Sequence, residues 1–375
     1  MISIMGKKQK ILHLLTSLEA GGAETNLLAL LRNFDKDKFV HAVAYGGQGG
    51  VLEKEFLELG VNLIRIYPKS LNISSLFHIK KIVHEVKCFS PDIIHTHLDL
   101  PNIIGLISSK ILKCYLIIHF HGLAMVPHKL LPDRPMLRSK LWNFVSRFYK
   151  YCDKAIAICE YQRPFLLRIG FKNKQIKLIS NGVNLDVVPS KNLNENYTFV
   201  NIGRFHPDKN HSILIDAFRD VLLKIPSAKL NLVGDGGLLQ SMKEKVENLG
   251  IGDNVKFLGL RRDIPVILSN SDCFVLSSRW ELQPITILEA MRAGLPVISS
   301  NVGGISDTVE NERTGLLVEP GNRQALTSAM IDMASNIEQS NIMGANGEER
   351  VKQHFNNKNI AHEIEDVYED ILSVE

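Results

Sequence analysis

At 375 residues the chain exceeds the usual single-domain range and can build two domains with full cores. Its 22% charged and 45% hydrophobic residues are those of a globular protein, and no run approaches the roughly 20 apolar residues of a membrane span. The net charge of +4 hides a split: residues 1–185 carry 26 basic and 13 acidic side chains, residues 186–375 carry 18 and 27. That asymmetry suggests separate domains, the first facing something anionic such as nucleic acid or an acidic membrane surface. Five scattered cysteines without a C-x-x-C pair (Cys88, Cys114, Cys152, Cys159, Cys273) argue against a disulfide framework and a zinc site, and are expected to be reduced core thiols.

Lys7, Lys8 and Lys10 before Ile11–Leu15 have the outline of a signal peptide, but the apolar run is too short, so a first buried strand in a cytoplasmic protein is expected. Gly21-Gly22-Ala23-Glu24 follows, then helical periodicity from Thr25 to Phe34. Strand, glycine pair and helix outline a ligand-cradling turn, though without the G-x-G-x-x-G spacing of a dinucleotide site. Strands are expected at 39–45, 61–66, 93–97 and 115–119, with helices at 50–59, 76–87 and 102–111 between them. Repeated βα units imply a parallel, doubly wound sheet.

His95, His97, His119 and His121 stand where such sheets place ligands. No H-E-x-x-H motif accompanies them, and residues along a strand alternate between faces, so a shared metal is not expected. A polar ligand contact by His121, beside Gly122, is expected instead. Residues 129–177 are the basic centre of the first half, and 134–152 has apolar and aromatic residues at helical spacing with cations between them. That pattern suits either a core-packed helix or one lying on an anionic membrane surface. Nucleic acid is disfavoured, since no recognised binding module appears.

After a helix at 161–170 and the turn Asn181–Asp186, the polar stretch 189–196 reads as the linker, giving domains 1–188 and 189–355. In the second half a strand at 197–202 leads into Gly203-Arg204-Phe205-His206-Pro207-Asp208-Lys209. Two cations beside a glycine turn suit a diphosphate: arginine offers a bidentate fork, lysine a mobile point charge. Gly234-Asp235-Gly236-Gly237 follows the next strand. The strand 273–276 then enters Glu281-Leu282-Gln283-Pro284-Ile285-Thr286-Ile287-Leu288-Glu289, with Pro284 in the first helical turn and Gly294 past the helix end. Glu281 is placed in the loop and Glu289 inside the helix, beyond a row of free backbone N–H groups of the kind that favours phosphate.

Together, Gly21-Gly22-Ala23-Glu24, His121-Gly122, Ser180-Asn181-Gly182-Val183, Gly203-Arg204…Lys209, Gly234-Asp235-Gly236, Glu281…Glu289-Ala290-Met291 and Gly294-Leu295-Pro296-Val297 make the chain resemble a retaining family-four glycosyltransferase. The resemblance spans nearly the whole chain. It implies the GT-B fold, two doubly wound Rossmann-like domains facing across a cleft, with a last helix (356–375) crossing back to the first domain. It implies that Arg204 and Lys209 neutralise the departing diphosphate, Glu289 accepts from the ribose hydroxyls, and Glu281 and His121 contact the transferred sugar. Gly21, Gly22, Gly203, Gly234, Pro284, Ile285, Thr286 and Ile287 complete the expected nucleotide-sugar site. No Asp-x-Asp motif for a metal-bound diphosphate is expected, and the paired cations are expected to replace a metal, so no metal or other cofactor is expected. One departure stands out: many members carry Phe-Gly where this chain has Gln283-Pro284.

The expected reaction is transfer of a hexose or N-acetylhexosamine from a nucleotide sugar, UDP preferred, to a lipid-linked or polysaccharide acceptor. A nucleotide-sugar epimerase on the same architecture, and a non-catalytic membrane or nucleic-acid binding protein, remain open at this stage. The acidic final helix, 361–372, is expected to dock on the basic first domain, near Lys80 and Lys81 or the 129–177 region.

Overall fold

The computed structural model describes residues 8–19, 21–122, 146–185 and 195–373. The chain divides into two compact units, residues 1–181 with 357–375, and residues 182–356. The expected linker falls mostly outside the described residues.

Unit 1 holds strands β1 (Gln9–Leu14), β2 (Phe39–Gly46), β3 (Asn62–Tyr67), β4 (Ile93–Thr96), β5 (Tyr115–Phe120), β6 (Lys154–Ala157) and β7 (Ile176–Leu178). They form one sheet in the order β3-β2-β1-β4-β5-β6-β7, with every pair parallel. The side-chain period of two sorts its residues. Ile11, Val43, Ile93 and Ile117 join one core with Leu27, Leu31, Ile364 and Tyr368, and Leu12, Ala44, Ile94 and Ile118 join the other with Ile82, Val86 and Ile104. Helices therefore cover both faces, as a buried parallel sheet requires.

Unit 2 holds β8 (Thr198–Ile202), β9 (Lys229–Val233), β10 (Val255–Gly259), β11 (Cys273–Leu276), β12 (Val297–Ser300) and β13 (Gly315–Val318), in the order β10-β9-β8-β11-β12-β13 and again all parallel. In each unit the strand order reverses beside the first strand, between β1 and β4 and between β8 and β11. Loops leaving the two strands of such a pair diverge, and the gap they leave is where open α/β sheets bind ligands.

Several local expectations are corrected. The first helix runs Gly22–Leu31, three residues earlier than its periodicity suggests, because Gly21 takes the extended cap conformation at φ −121. The helix expected at 50–59 shortens to Glu53–Glu58, and the one expected from Leu76 starts as a 3-10 turn, Ile73–His78, closed by a capping box on Asn72. Most of the basic helix at 134–152 lies outside the described residues; its end, Ser146–Tyr151, is a 3-10 turn that buries Tyr149 and exposes Phe148 and Tyr151. Cys152, Cys159 and Cys273 are buried thiols, but Cys88 is exposed.

The final helix, Asn357–Leu372, packs in unit 1. Its apolar face, Ile360, Ile364, Val367, Tyr368 and Ile371, is buried in the β1-side core. Its acids meet the sheet rim: Glu369 lies 2.8 Å from Lys38, Asp370 lies 3.8 Å from Lys177, and the Asp35 N–H donates to Glu365. Lys80 and Lys81 form no ion pair with it among the described residues. The ion pairs are exposed, so the helix is held mainly by burial. Tyr368 is fully buried and its hydroxyl lies 2.7 Å from His95 Nδ1. Tyr368→Ala should therefore cost unit 1 about 3–5 kcal/mol, read from the urea midpoint; an unchanged midpoint would show that the helix is not part of that core.

Candidate functional site

In unit 2 the site residues gather at the β8/β11 reversal. Gly203 leaves β8, its N–H donating to Val233 at 2.9 Å. The loop then turns into a 3-10 segment, Pro207–Lys209, and ends on Asn210 in the left-handed region at φ 52. It is sewn to its neighbours. The Phe205 N–H donates to Asp235 and the Leu238 N–H to the Phe205 carbonyl, at 2.9 and 3.0 Å, which locks it to the glycine turn after β9. Gly234 is required there: its φ is +134, and a Cβ would strike the Gly203 carbonyl.

The loop after β11 is tied to the same segment. The Arg279 N–H donates to the Asp208 carbonyl at 2.7 Å, and the Ser277 hydroxyl to the Lys209 and Asn210 carbonyls at 3.2 Å. Lys209 forms a short ion pair with Glu281, whose carboxylate also accepts from the Ser278 hydroxyl at 2.7 Å. Glu281 is 8% exposed. Behind it Gly303, at φ +57, packs so closely that any Cβ would strike the Glu281 carbonyl. Arg204 is exposed and has no side-chain partner among the described residues. The structure thus places one cation in a fixed pair and leaves the other at the surface.

Pro284 is the cap rather than the first residue of its helix, Ile285–Arg292, with ψ 123. Gly294 ends the helix region in the left-handed conformation, φ +71, as its sequence position suggests. The Ile287 N–H is taken by the Pro284 carbonyl at 3.1 Å, so Ile287 is not a free phosphate donor. The N–H groups of Ile285 and Thr286 have no acceptor among the described residues. Gln283, the departure from the family pattern, is buried and donates to the Thr308 hydroxyl at 3.2 Å. It bolts the loop to the segment after β12, a role that sequence alone did not signal. Glu289 lies one helical turn beyond; burial raises its carboxyl pKa and the charge of Arg292 partly offsets this.

In unit 1, Gly22 faces open space, with no atom within 4 Å of where its Cβ would stand. Glu24 is buried, which raises its pKa. A cavity of 730 Å³ opens at the carboxyl ends of the strands, lined by Thr16, Leu71, Ile73, Asp99, Phe120, His121 and others. The four histidines converge after all. His95 and His97, and His119 and His121, are spaced by two, so each pair shares a face, and ring nitrogens of His97, His119 and His121 lie within 4.8 Å of one another. Sequence reading missed two more on that face, His13 and His41, which become neighbours only through the strand order. An Asp-x-Asp triplet also passed unremarked: Asp35-Lys36-Asp37 sits at the amino end of β2, where Asp35 accepts the Asp37 N–H at 2.8 Å as a turn, at the opposite strand ends from the loops just described.

Residues 20–187 match the model of the family described as Glycosyltransferase Family 4, and residues 186–350 that of Glycosyl transferases group 1. The UDP-Gal:alpha-D-GlcNAc-diphosphoundecaprenol alpha-1,3-galactosyltransferase of Escherichia coli is 28% identical over 340 residues, 85% of this chain and 86% of that protein. The GDP-mannose-dependent alpha-(1-6)-phosphatidylinositol monomannoside mannosyltransferase of Mycobacterium tuberculosis is 28% identical over 183 residues, 46% of this chain and 48% of that protein. Among solved structures, Anabaena HepE in complex with UDP and glucose aligns with a TM-score of 0.82 at 21% identity, over 96% of this chain and 100% of that one. Sucrose-phosphate synthase from Thermosynechococcus elongatus aligns with a TM-score of 0.81 at 22% identity, over 98% and 100%. Both share the fold.

The Glu289 environment has a measurable consequence. Its folded pKa lies above the ordinary value, so ionising it costs the folded state more than the unfolded chain. That penalty is absent below the unfolded pKa of about 4.3 and complete above the folded one. Glu289→Gln is therefore expected to raise the urea midpoint of the ligand-free protein at about pH 7.5 and to leave it unchanged at about pH 3. If Glu289 accepts from a ribose hydroxyl, as the family resemblance implies, the same variant should weaken nucleotide binding about tenfold, the loss of one good acceptor. A lower midpoint at neutral pH would show that the buried carboxylate is instead stabilising.

Proposed function

The chain belongs to the family-four glycosyltransferases, and on that footing we propose that it is a retaining enzyme moving a hexose or N-acetylhexosamine from a nucleotide sugar, UDP-linked in preference to GDP-linked, to a lipid-linked or polysaccharide acceptor. The observation that carries the proposal is the β8/β11 reversal of unit 2, where Arg204, Lys209 and the Ile285 and Thr286 N–H groups are offered by loops sewn to one another. That set suits a diphosphate. Similarity to the Escherichia coli enzyme over 85% of the chain supports a UDP-sugar donor and an acceptor on a lipid diphosphate.

In this reading the bond from the anomeric carbon to the donor phosphate breaks, and charge builds on the diphosphate while the sugar becomes oxocarbenium-like. Arg204 and Lys209 stabilise that anion electrostatically, Lys209 from a position fixed by Glu281 and Arg204 from the surface of the same loop. The acceptor hydroxyl attacks from the face the phosphate leaves, and its proton passes to a phosphate oxygen. Glu281 contacts the transferred sugar and holds Lys209 in place, and Glu289 accepts from the ribose. His121, with the open backbone at Gly22, serves the sugar and acceptor side, where the unit 1 cavity combines apolar Leu71, Ile73 and Phe120 with polar Thr16 and Asp99. With two cations at the diphosphate, we take the reaction to be metal-independent.

No helix among the described residues is long and apolar enough to cross a membrane. We assign the enzyme to the cytoplasm, held peripherally at an anionic membrane face by the basic region 129–177, whose described part exposes Phe148, Lys150 and Tyr151.

Calorimetry against a panel of UDP- and GDP-sugars tests the donor, and UDP-sugars alone should bind. Arg204→Ala and Lys209→Ala should each lower kcat by about 10²- to 10³-fold, the cost of removing one preorganised anion-stabilising group. Lys209→Ala also strands Glu281 as a buried unpaired carboxylate, so it should be the more destabilising of the two. Turnover intact in the double variant would refute the diphosphate assignment, and activity abolished by a chelator would refute metal independence.

A further inference from the structure

Four of the six histidines on the unit 1 sheet face are joined end to end. His41 Nδ1 lies 2.9 Å from His13 Nε2, His13 Nδ1 lies 3.0 Å from His97 Nε2, and His97 Nδ1 lies 3.0 Å from His121 Nε2. The order β2-β1-β4-β5 makes this a line across the sheet, running from beneath the final helix to the cavity. Every link uses the same pair of atoms in the same sense. A neutral imidazole has one donor and one acceptor nitrogen. A neutral ladder built this way has two satisfied patterns only: all four rings protonated on Nδ1, or all four on Nε2. Burial keeps the rings uncharged, pushing each pKa below its ordinary value, to about 3 for His41 and His121. A charged ring in the middle would donate from both nitrogens and split the ladder into opposite tautomers on its two sides.

We propose that His41, His13 and His97 are positioning residues which share one tautomer with His121 and thereby fix the face His121 shows the ligand, Nε2 turned to His97 and Nδ1 to the cavity. The inner end of the ladder is closed. His41 Nε2 is buried without a hydrogen-bond partner among the described residues, and the ring stacks 4.5 Å from Phe34. No proton can leave there, so the ladder sets hydrogen positions and does not conduct. The outer end is half-buried at the cavity. A ligand group at Nδ1 of His121 that can only accept, or a hydroxyl whose proton is committed elsewhere, selects the pattern with Nδ1 protonated for all four rings, which couples the site to a residue two strands away from His97. Both ring nitrogens of His97 are used in the ladder, so a metal held by His97 with His119 and His121, or with His13 and His95, would break a link, and the intact ladder excludes it.

The inference deepens the role proposed above for His121, but its first test does not require glycosyl transfer. Long-range proton–nitrogen correlation spectra of the full-length, ¹⁵N-histidine-labelled protein report the tautomer of each ring. We expect one tautomer shared by His41, His13, His97 and His121, unchanged by a chelator or by one equivalent of zinc. Mixed tautomers among the four, or metal-shifted nitrogens with stoichiometric zinc, would overturn the proposal. His97→Phe should leave His121 in mixed tautomers and raise the donor KM about tenfold with a smaller change in kcat, the loss of one hydrogen bond to the contact group. His97→Asn, whose amide can reach the same partner, should recover most of that loss. An unaltered His121 signal in His97→Phe would refute the coupling. Should that variant not fold, His13→Phe breaks the ladder one link earlier and is judged by the same signal.

Discussion

The Lys209–Glu281 ion pair of unit 2 sits where its strand order reverses. Between β8 and β11 the crossovers run in opposite directions, so the loops above those strands part and leave a gap. Lys209 and Glu281 close that gap, with Ser277 and Ser278 adding the hydroxyl bonds around them. Removing two charges from water costs several kcal/mol per ion, and the attraction between them commonly does no better than break even. The pair is therefore better understood as a device that keeps a cation and a carboxylate in register at a ligand site. Gly303 shows how tightly that register is set, since its left-handed backbone leaves no room for a side chain beside the Glu281 carbonyl.

Unit 1 uses the equivalent reversal differently. Above β1 and β4 the groups turned inward are uncharged imidazoles, stacked on one another and on Phe34, with Tyr368 edge-on to His95. Buried polar groups are costly unless paired. The ladder pairs nitrogens of His41, His13, His97 and His121, and Tyr368 pairs one on His95, while both nitrogens of His119 have no partner among the described residues. The final helix thus closes the core and caps a polar network within it. Both roles come from one face of one amphipathic segment, because Ile364, Val367, Tyr368 and Ile371 fall together at helical spacing.

What could be read from the sequence follows from what is local. Both doubly wound sheets, the cation loop, the two glutamates and the glycine turns announce themselves through residues within ten positions of each other. The docking of the final helix was legible from charge, although its hold is mostly apolar. What was hidden depends on strand order. His13 and His41 are ordinary strand residues until β1 and β2 are placed beside β4, and the sharing of a face by His95 and His97 is a period-of-two effect that the metal argument overlooked. Gln283 looked like a gap in a motif because its partner, Thr308, lies beyond β12. Pro284 was misplaced by one position, the usual uncertainty at a helix start.

The contrast between the two units fits the charge that glycosyl transfer generates. In the proposed reaction the leaving diphosphate gains negative charge, and unit 2 offers Lys209 in its pair with Glu281 and Arg204 at the surface. The sugar gains positive charge at its anomeric centre, where a cationic side chain would oppose the reaction by direct repulsion. A histidine held neutral by burial can meet sugar hydroxyls, as donor or acceptor, without that penalty. A lysine at the same place could not, and an unburied histidine would titrate near physiological pH. Burial holds His13, His41 and His97 uncharged, and His121 joins them at the rim of the cavity. For the proposed reaction the distribution of burial matters as much as the distribution of charge.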